Sequence, residues 1–267
     1  MSNAADYEYV LGTREDELDR LRMQHELWAD VARSAWSRAR IGAGTTVIDL
    51  GCGPGFALRE IAELVGSGGR AIGVDVSRRF LEHAERACAE TGATVETVHA
   101  DAHELSLGEA SVDAVYARWV LAFTPEPGRV VDRLAKIVTP GGRVIIQDYF
   151  AWTNLLWSPL DETLGVLRRS FESMYRSQGA DPNVGRVLPP MLGGAGFEVE
   201  EISPVHRIAR PGDAMWQWPT VFFRTFLPKV VEAGHMTKDE YDAWDAEWRA
   251  LEETPGAFFL TPPQVVI

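Results

Sequence analysis

Three glycines in five residues, Gly51, Gly53 and Gly55, follow directly on the apolar run Val47-Ile48-Asp49-Leu50. A backbone that leaves a strand and turns tightly needs such residues, and the missing side chains let a ligand approach the main chain. A second apolar run, Gly73-Val74-Asp75-Val76, carries an acid about twenty residues beyond the turn. At the end of the next strand, the Asp75 carboxylate can accept hydrogen bonds from two ribose hydroxyls. Together these features describe a site for a nucleoside. Asp49, just before the turn, repels a phosphate but suits a cation or an ammonium group. The spacing is G-x-G-x-G, and Phe56 stands where the last glycine of G-x-G-x-x-G would fall. A pyrophosphate-binding dinucleotide site is therefore the poorer fit.

The elements that must hold these residues alternate. Residues 13 to 39 read as a helix with Thr13 as N-cap and Leu18, Leu21, Leu27, Trp28 and Val31 near helical spacing. Thr45 to Leu50 is a first strand. A helix from about Phe56, with Leu58, Ile61, Ala62 and Val65 on one stripe, stops at Gly66. Ala71 to Val76 is a second strand, and Ser77 caps a helix that turns Phe80, Leu81, Ala84 and Cys88 inward. Strands are expected over Thr94 to His99 and Val112 to Ala117, and a helix over Arg129 to Ile137. Pro140-Gly141-Gly142 turns into a fifth strand, Arg143 to Tyr149. Such alternation implies a parallel sheet with helices on both faces and ligand-facing loops at the carboxyl ends of the strands.

Beyond residue 150 the pattern changes, and six of the nine tryptophans lie there. Helices are expected from about Leu160 to Ser177, near Leu188 to Gly194, and over most of 213 to 253. Phe197 to Val205 and Ala257 to Ile267 are strand candidates. The organisation is then an entry segment over residues 1–40, a nucleoside-binding core over 41–150 and a C-terminal part over 151–267. Segments 151–182 and 212–254 are read as helical insertions that cover the sheet's carboxyl edge.

Composition sets bounds. A hydrophobic fraction of 46% can build a substantial core, and a formal charge of −13 argues against nucleic acid or an anionic membrane as substrate. The two cysteines, Cys52 and Cys88, make no disulfide framework. No apolar run is long enough to span a bilayer, and no signal peptide opens the chain. These observations fit a cytoplasmic protein and are compatible with a homodimer.

At Asp49-Leu50-Gly51-Cys52-Gly53-Pro54-Gly55 the chain resembles the class I S-adenosylmethionine (AdoMet) methyltransferases, and the resemblance is strongest from about residue 45 to 149. The entry helix resembles that of the small-molecule enzymes of the ubiquinone and secondary-metabolite type. The resemblance implies an α/β fold, a doubly wound, mostly parallel seven-stranded sheet with an antiparallel pair at one end and helical lid insertions. It implies AdoMet as cofactor and S-adenosylhomocysteine as product. Gly51, Gly53 and Gly55 would approach the methionine part and ribose, Asp75 would hold the ribose, and Val76 would pack on the adenine. Asp101 would accept from the adenine amino group, and Ala102 would donate its backbone N–H. Arg118 would contact the methionine moiety, as Asp49 would, with Tyr9 and Gln24 as weaker candidates for the cofactor's polar end.

Methyl transfer from a sulfonium needs alignment more than side-chain chemistry. A phenol or alcohol acceptor would also need a base, for which His25, Asp148, Tyr149, His206 and His235 are the candidates. No metal site is expected from the spacing: His99 and His103 straddle a strand end and a loop. Trp152, Trp157, Trp216, Trp218, Phe222, Phe223 and Phe226 either line a pocket for a flat or apolar acceptor or hold the insertions together. Three functions stay open: methyl transfer to a small molecule, another reaction such as cyclisation or decarboxylation on the same fold, and AdoMet binding without catalysis.

Overall fold

The computed structural model describes residues 15–159 and 162–267. Tyr9 and the expected cap Thr13 lie outside them. The first half follows the expected order: α1 (Glu15–Arg38), β1 (Thr46–Leu50), α2 (Phe56–Val65), β2 (Arg70–Asp75), α3 (Arg78–Cys88), β3 (Thr94–His99), β4 (Val112–Arg118), α4 (Pro127–Ile137) and β5 (Val138–Tyr149), the last starting at Val138 rather than at Arg143, so that it includes the expected turn Pro140-Gly141-Gly142. Their amphipathic faces explain them. The α2 stripe Leu58, Ile61, Ala62 and Val65 is buried, and so is the α3 stripe Phe80, Leu81, Ala84 and Cys88. The Ser77 hydroxyl accepts from the Phe80 N–H at 3.3 Å and caps α3.

The second half is β6 (Leu156–Ser158), α5 (Thr163–Ser177), α6 (Leu188–Gly194), β7 (Ser203–Val205), β8 (Ile208–Ala209), α7 (Ala214–Glu232), α8 (Lys238–Glu252), β9 (Phe258–Leu260) and β10 (Gln264–Val266). Seven strands form one sheet in the order β3-β2-β1-β4-β5-β10-β7. The first five are parallel, and β10 runs antiparallel to both β5 and β7. Strand order reverses between β1 and β4, so a crevice opens at the carboxyl ends of these two strands. Val47, Ala71, Ala114 and Ile145 face the α1–α2–α3 side, while Ile48, Ile72, Val115 and Ile146 face the α4 side.

Two strand expectations change. Residues 257–267 split into β9 and β10 around Pro262-Pro263, and β9 joins β6 and β8 in a small second sheet that the sequence did not announce. Of Phe197 to Val205 only Ser203–Val205 is a strand, paired with Gln264–Val266 of β10. Phe197 to Ile202 pairs with no strand among the described residues, and a groove of about 600 Å³ lies between it, the amino end of β5 and the last turn of α1. This groove lies at the opposite end of the sheet from the glycine turn.

The turn itself is tightly enclosed. Gly51 has φ +67, and a Cβ there would lie 2.5 Å from Val120 Cγ2. Gly55 has φ +86, and its Cβ would lie 2.6 Å from the Ala84 Cβ and 2.7 Å from its Cα. Gly53, at φ +52, faces open space. Gly55→Ala is therefore expected to destabilise the protein by about 2–4 kcal/mol, from left-handed strain plus overpacking of α2 on α3. Gly53→Ala carries only the strain, about 1–2 kcal/mol. Urea denaturation of both variants checks this; equal losses would mean that the Ala84 contact does not matter.

Candidate active site

β1 and β2 deliver two carboxylates beside the glycine turn. Asp75, the last residue of β2, accepts from the Gly53 N–H through Oδ2 and from the Ser77 N–H through Oδ1, both at 2.8 Å. Burial raises its pKa, and these N–H groups pull it back. An ionised carboxylate has about four acceptor positions, so each oxygen keeps capacity for a ligand hydroxyl. Asp49 lies in β1 between Gly73 and Tyr116, facing the α1 side, and is 3% exposed. Its Oδ2 is buried without a partner. Burial pushes its pKa up to about 7 against the pull of Arg118.

Arg118 ends β4 on the same face. One guanidinium nitrogen donates to His25 Nδ1 at 3.1 Å, and the other, Nη1, is buried with no hydrogen-bond partner among the described residues. Because arginine only donates, His25 Nδ1 is the acceptor, so its Nε2 carries the proton and donates to Glu60 at 3.0 Å. Burial opposes ionisation of Glu60, yet its bonds from His25 and Arg33 hold the pKa at about 2. A chain Glu60–His25–Arg118 thus runs from α2 through α1 to β4 and ends near Asp49.

The turn after β4 is held from below. The fully buried Asp148 on β5 accepts from the N–H groups of Leu121 and Ala122 through Oδ2 and from Tyr149 through Oδ1. Burial pushes its pKa up to about 7. This turn contains Trp119, a residue the sequence reading passed over, at φ +55. A bulky side chain in the left-handed region is strained. Trp119 is stacked between Tyr149 and Trp218, at 6.1 and 6.2 Å, and meets the edge of Trp28 at 5.7 Å. The clue was an aromatic residue directly behind the charged end of the fourth strand.

The remaining predicted residues fall into two groups. Val76 follows β2 and its carbonyl accepts from His99 Nε2 at 2.8 Å, while Asp101 caps a short turn that Ala102 opens, accepting from the His103 N–H. Both stand at the carboxyl edge beside Asp75. Gln24 on α1 accepts from Arg20 and from the Trp218 indole at 3.0 and 3.1 Å. Of the candidate bases, His25 and Asp148 are at the crevice but spent on the bonds above, and Tyr149 lies in the aromatic stack. His206 is exposed on the outer edge after β7, and His235, in the turn between α7 and α8, bonds Ser173 of α5. The insertion aromatics divide as well. Trp157, Trp216 and Phe223 pack on Trp248, and Trp152 and Phe226 on Phe171, which holds α5, α7 and α8 together. Trp218 instead reaches the crevice. Between Tyr149, Trp152, Trp218 and Phe222 only about 10 Å³ is left, room for one water.

A family model described as a methyltransferase domain matches residues 48–146. The chain is 31% identical over 192 residues to the demethylmenaquinone methyltransferase of Oceanobacillus iheyensis, covering 67% of this chain and 79% of that one. It spans 56%, 40% and 62% of the length of three other curated relatives. Among solved structures it is similar to YcgJ of Bacillus subtilis, at 17% identity and TM-score 0.54 over 86% of this chain and 94% of that one. It is similar to the [4+2]-cyclase SpnF at 18% identity and TM-score 0.51, over 88% and 80%. The last two likenesses concern the fold.

The buried Asp49 gives the site a pH signature. Its carboxyl titrates at about 7 in the folded protein against an ordinary 3.8, so between these values the native state holds a proton that the unfolded chain releases. Its contribution to stability is full below about 4 and is lost as pH rises through about 7. Asp49→Asn is expected to flatten part of that loss, with Asp148 supplying the remainder. Denaturation of wild type and variant at pH 5 and pH 8 checks it; identical pH slopes would refute the assignment.

Proposed function

Since this chain belongs to the class I AdoMet-dependent methyltransferases, we propose that it transfers the methyl group of AdoMet to a small acceptor with apolar or aromatic character. The observation that carries the reading is a buried pair of opposite, incompletely partnered groups, Asp49 Oδ2 and Arg118 Nη1. A carboxylate and a guanidinium on one face, beside an open glycine turn, fit the ammonium and carboxylate of an amino acid. Asp75, with spare acceptor capacity, fits the ribose of the same ligand, and the backbone at Gly53 has open space for it. AdoMet joins these two pieces through a sulfonium that supplies an electrophilic methyl.

The chain's own contribution is to bind, align and dry the site. Asp75 and Asp49 hold the cofactor's two polar ends, and the His25–Arg118 bond ties the covering helix α1 to the cradle. Helices α5, α7 and α8 act as the lid, with Trp218 of α7 closing over Trp119. A water-poor site strengthens the electrostatics around the reacting centre. With His25 and Asp148 engaged in structural bonds, alignment rather than proton abstraction carries the acceleration. A cyclisation or decarboxylation on the same fold is the competing reading, and it predicts turnover that does not depend on AdoMet.

Calorimetric titration with AdoMet, S-adenosylhomocysteine and NAD is the test. The expected result is micromolar affinity for the first two and none for NAD. Asp75→Ala should weaken AdoMet by about 1–3 kcal/mol, the effect of stranding the ribose hydroxyls. An unchanged dissociation constant in this variant would remove Asp75 from the site.

A further inference from the structure

Two buried glutamines beside the cradle have hydrogen-bonding atoms that no described residue uses. Gln147 on β5 and Gln264 on β10 are each 1% exposed. Gln147 is the register partner of Arg118, and Gln264 is that of Tyr149, so both lie toward the carboxyl edge on the α1 side. The Gln147 amide nitrogen donates to Gln264 Oε1 at 2.9 Å, and the Trp119 indole donates to the same oxygen at 3.0 Å.

The indole fixes both amides. It can only donate, so the Gln264 atom it meets is the oxygen, and Gln147 must then approach that oxygen with its nitrogen. What remains is Gln147 Oε1, an acceptor, and Gln264 Nε2, a donor, and both are buried without partners. Leaving such atoms unpaired costs stability, so each needs an account. Their neighbours are the stacked rings of Trp119 and Tyr149 and the Arg118 guanidinium. The nearly closed crevice under Trp218 shares its Tyr149 wall with this group: Tyr149 is the register partner of Gln264, and the Trp119 that bonds Gln264 stacks on Trp218.

We propose that Gln147 and Gln264 are the specificity-determining residues of the acceptor pocket, and that they read a neutral hydroxyl on a flat ring. This rests on the reading of the crevice as the methyl-transfer site. A hydroxyl donates one hydrogen bond and accepts others, which matches the free Gln147 oxygen and the free Gln264 nitrogen together. A carboxylate would face the Gln147 oxygen with no proton to offer. An ammonium would face the Gln264 amide hydrogens and Arg118. A ring enters beside Trp119, in the space among Tyr149, Trp152, Trp218 and Phe222, once α7 yields, and the Trp218–Gln24 bond is the tie that must give way.

The test uses the whole protein saturated with S-adenosylhomocysteine and three soluble probes of one shape: 6-hydroxyquinoline, quinoline and quinoline-6-carboxylate. Calorimetry at pH 7.5 should show 6-hydroxyquinoline bound at least about tenfold tighter than the other two, since a site built to bond a hydroxyl rejects ligands that lack it. Gln147→Met and Gln264→Met should each cut that preference to less than about threefold, with affinity for S-adenosylhomocysteine unchanged. No preference in the wild type, no binding of any probe, or a preference that survives both substitutions would overturn the proposal and leave the amides as a water-bridged structural pair. Methyl transfer from AdoMet is measured on the same samples. Hydroxyl preference without transfer would sink the methyl-transfer reading and leave the pocket standing. Transfer without preference would do the reverse.

Discussion

With no side chain at Gly51, the end of β1 lies directly against Val120, and the crevice between β1 and β4 has the width this contact allows. Everything at the site hangs on that approach. Two buried carboxylates then pin the two sides: Asp75 holds the glycine turn by the Gly53 N–H, and Asp148 holds the Trp119–Ala122 turn by the N–H groups of Leu121 and Ala122. Hydrogen bonds to charged groups contribute about 1.5–3 kcal/mol each, enough to sustain a tryptophan in the left-handed region. Val120 is fixed on one side and Gly51 on the other, so neither strand end can drift without breaking several such bonds.

The covering helix is joined to this frame by electrostatics rather than by packing alone. Glu60, His25 and Arg118 come from three separate elements, and each depends on the next for its protonation state or orientation. The ionised Glu60 fixes the His25 tautomer, and the tautomer offers Arg118 an acceptor.

Much of the frame was legible because it is local. The glycine turn, the acid ending β2 and the α2 and α3 stripes are each written within about a dozen residues, and the structure reproduces them. The web around Arg118 was not legible, because His25 and Arg118 are 93 residues apart and no periodicity relates them. The glutamine pair is separated by 117 residues. Its one local trace was Gln147 breaking the apolar run Val144-Ile145-Ile146, where a buried polar residue needs a reason. The aromatic residues could not be sorted by spacing either: Trp216 and Trp218 are two positions apart on α7, yet one stacks on Trp248 and the other reaches Trp119. The second small sheet escaped notice because its strands are two or three residues long and gain their pairing from distant segments.

Phe197 to Ile202 runs beside its groove without a strand partner, and such a segment invites one from another molecule. Its side chains alternate, Phe197 and Val199 half-buried, Glu198 and Glu200 exposed. The acids act as gatekeepers: a second edge laid alongside would bring its own copies of Glu198, Glu200 and Glu201 into register. Arg143 and Arg38 hold Glu200 and Glu201 in place across the gap. The solubility of the protein, and not only its stability, is thereby tied to three glutamates at the far end of the sheet from the glycine turn.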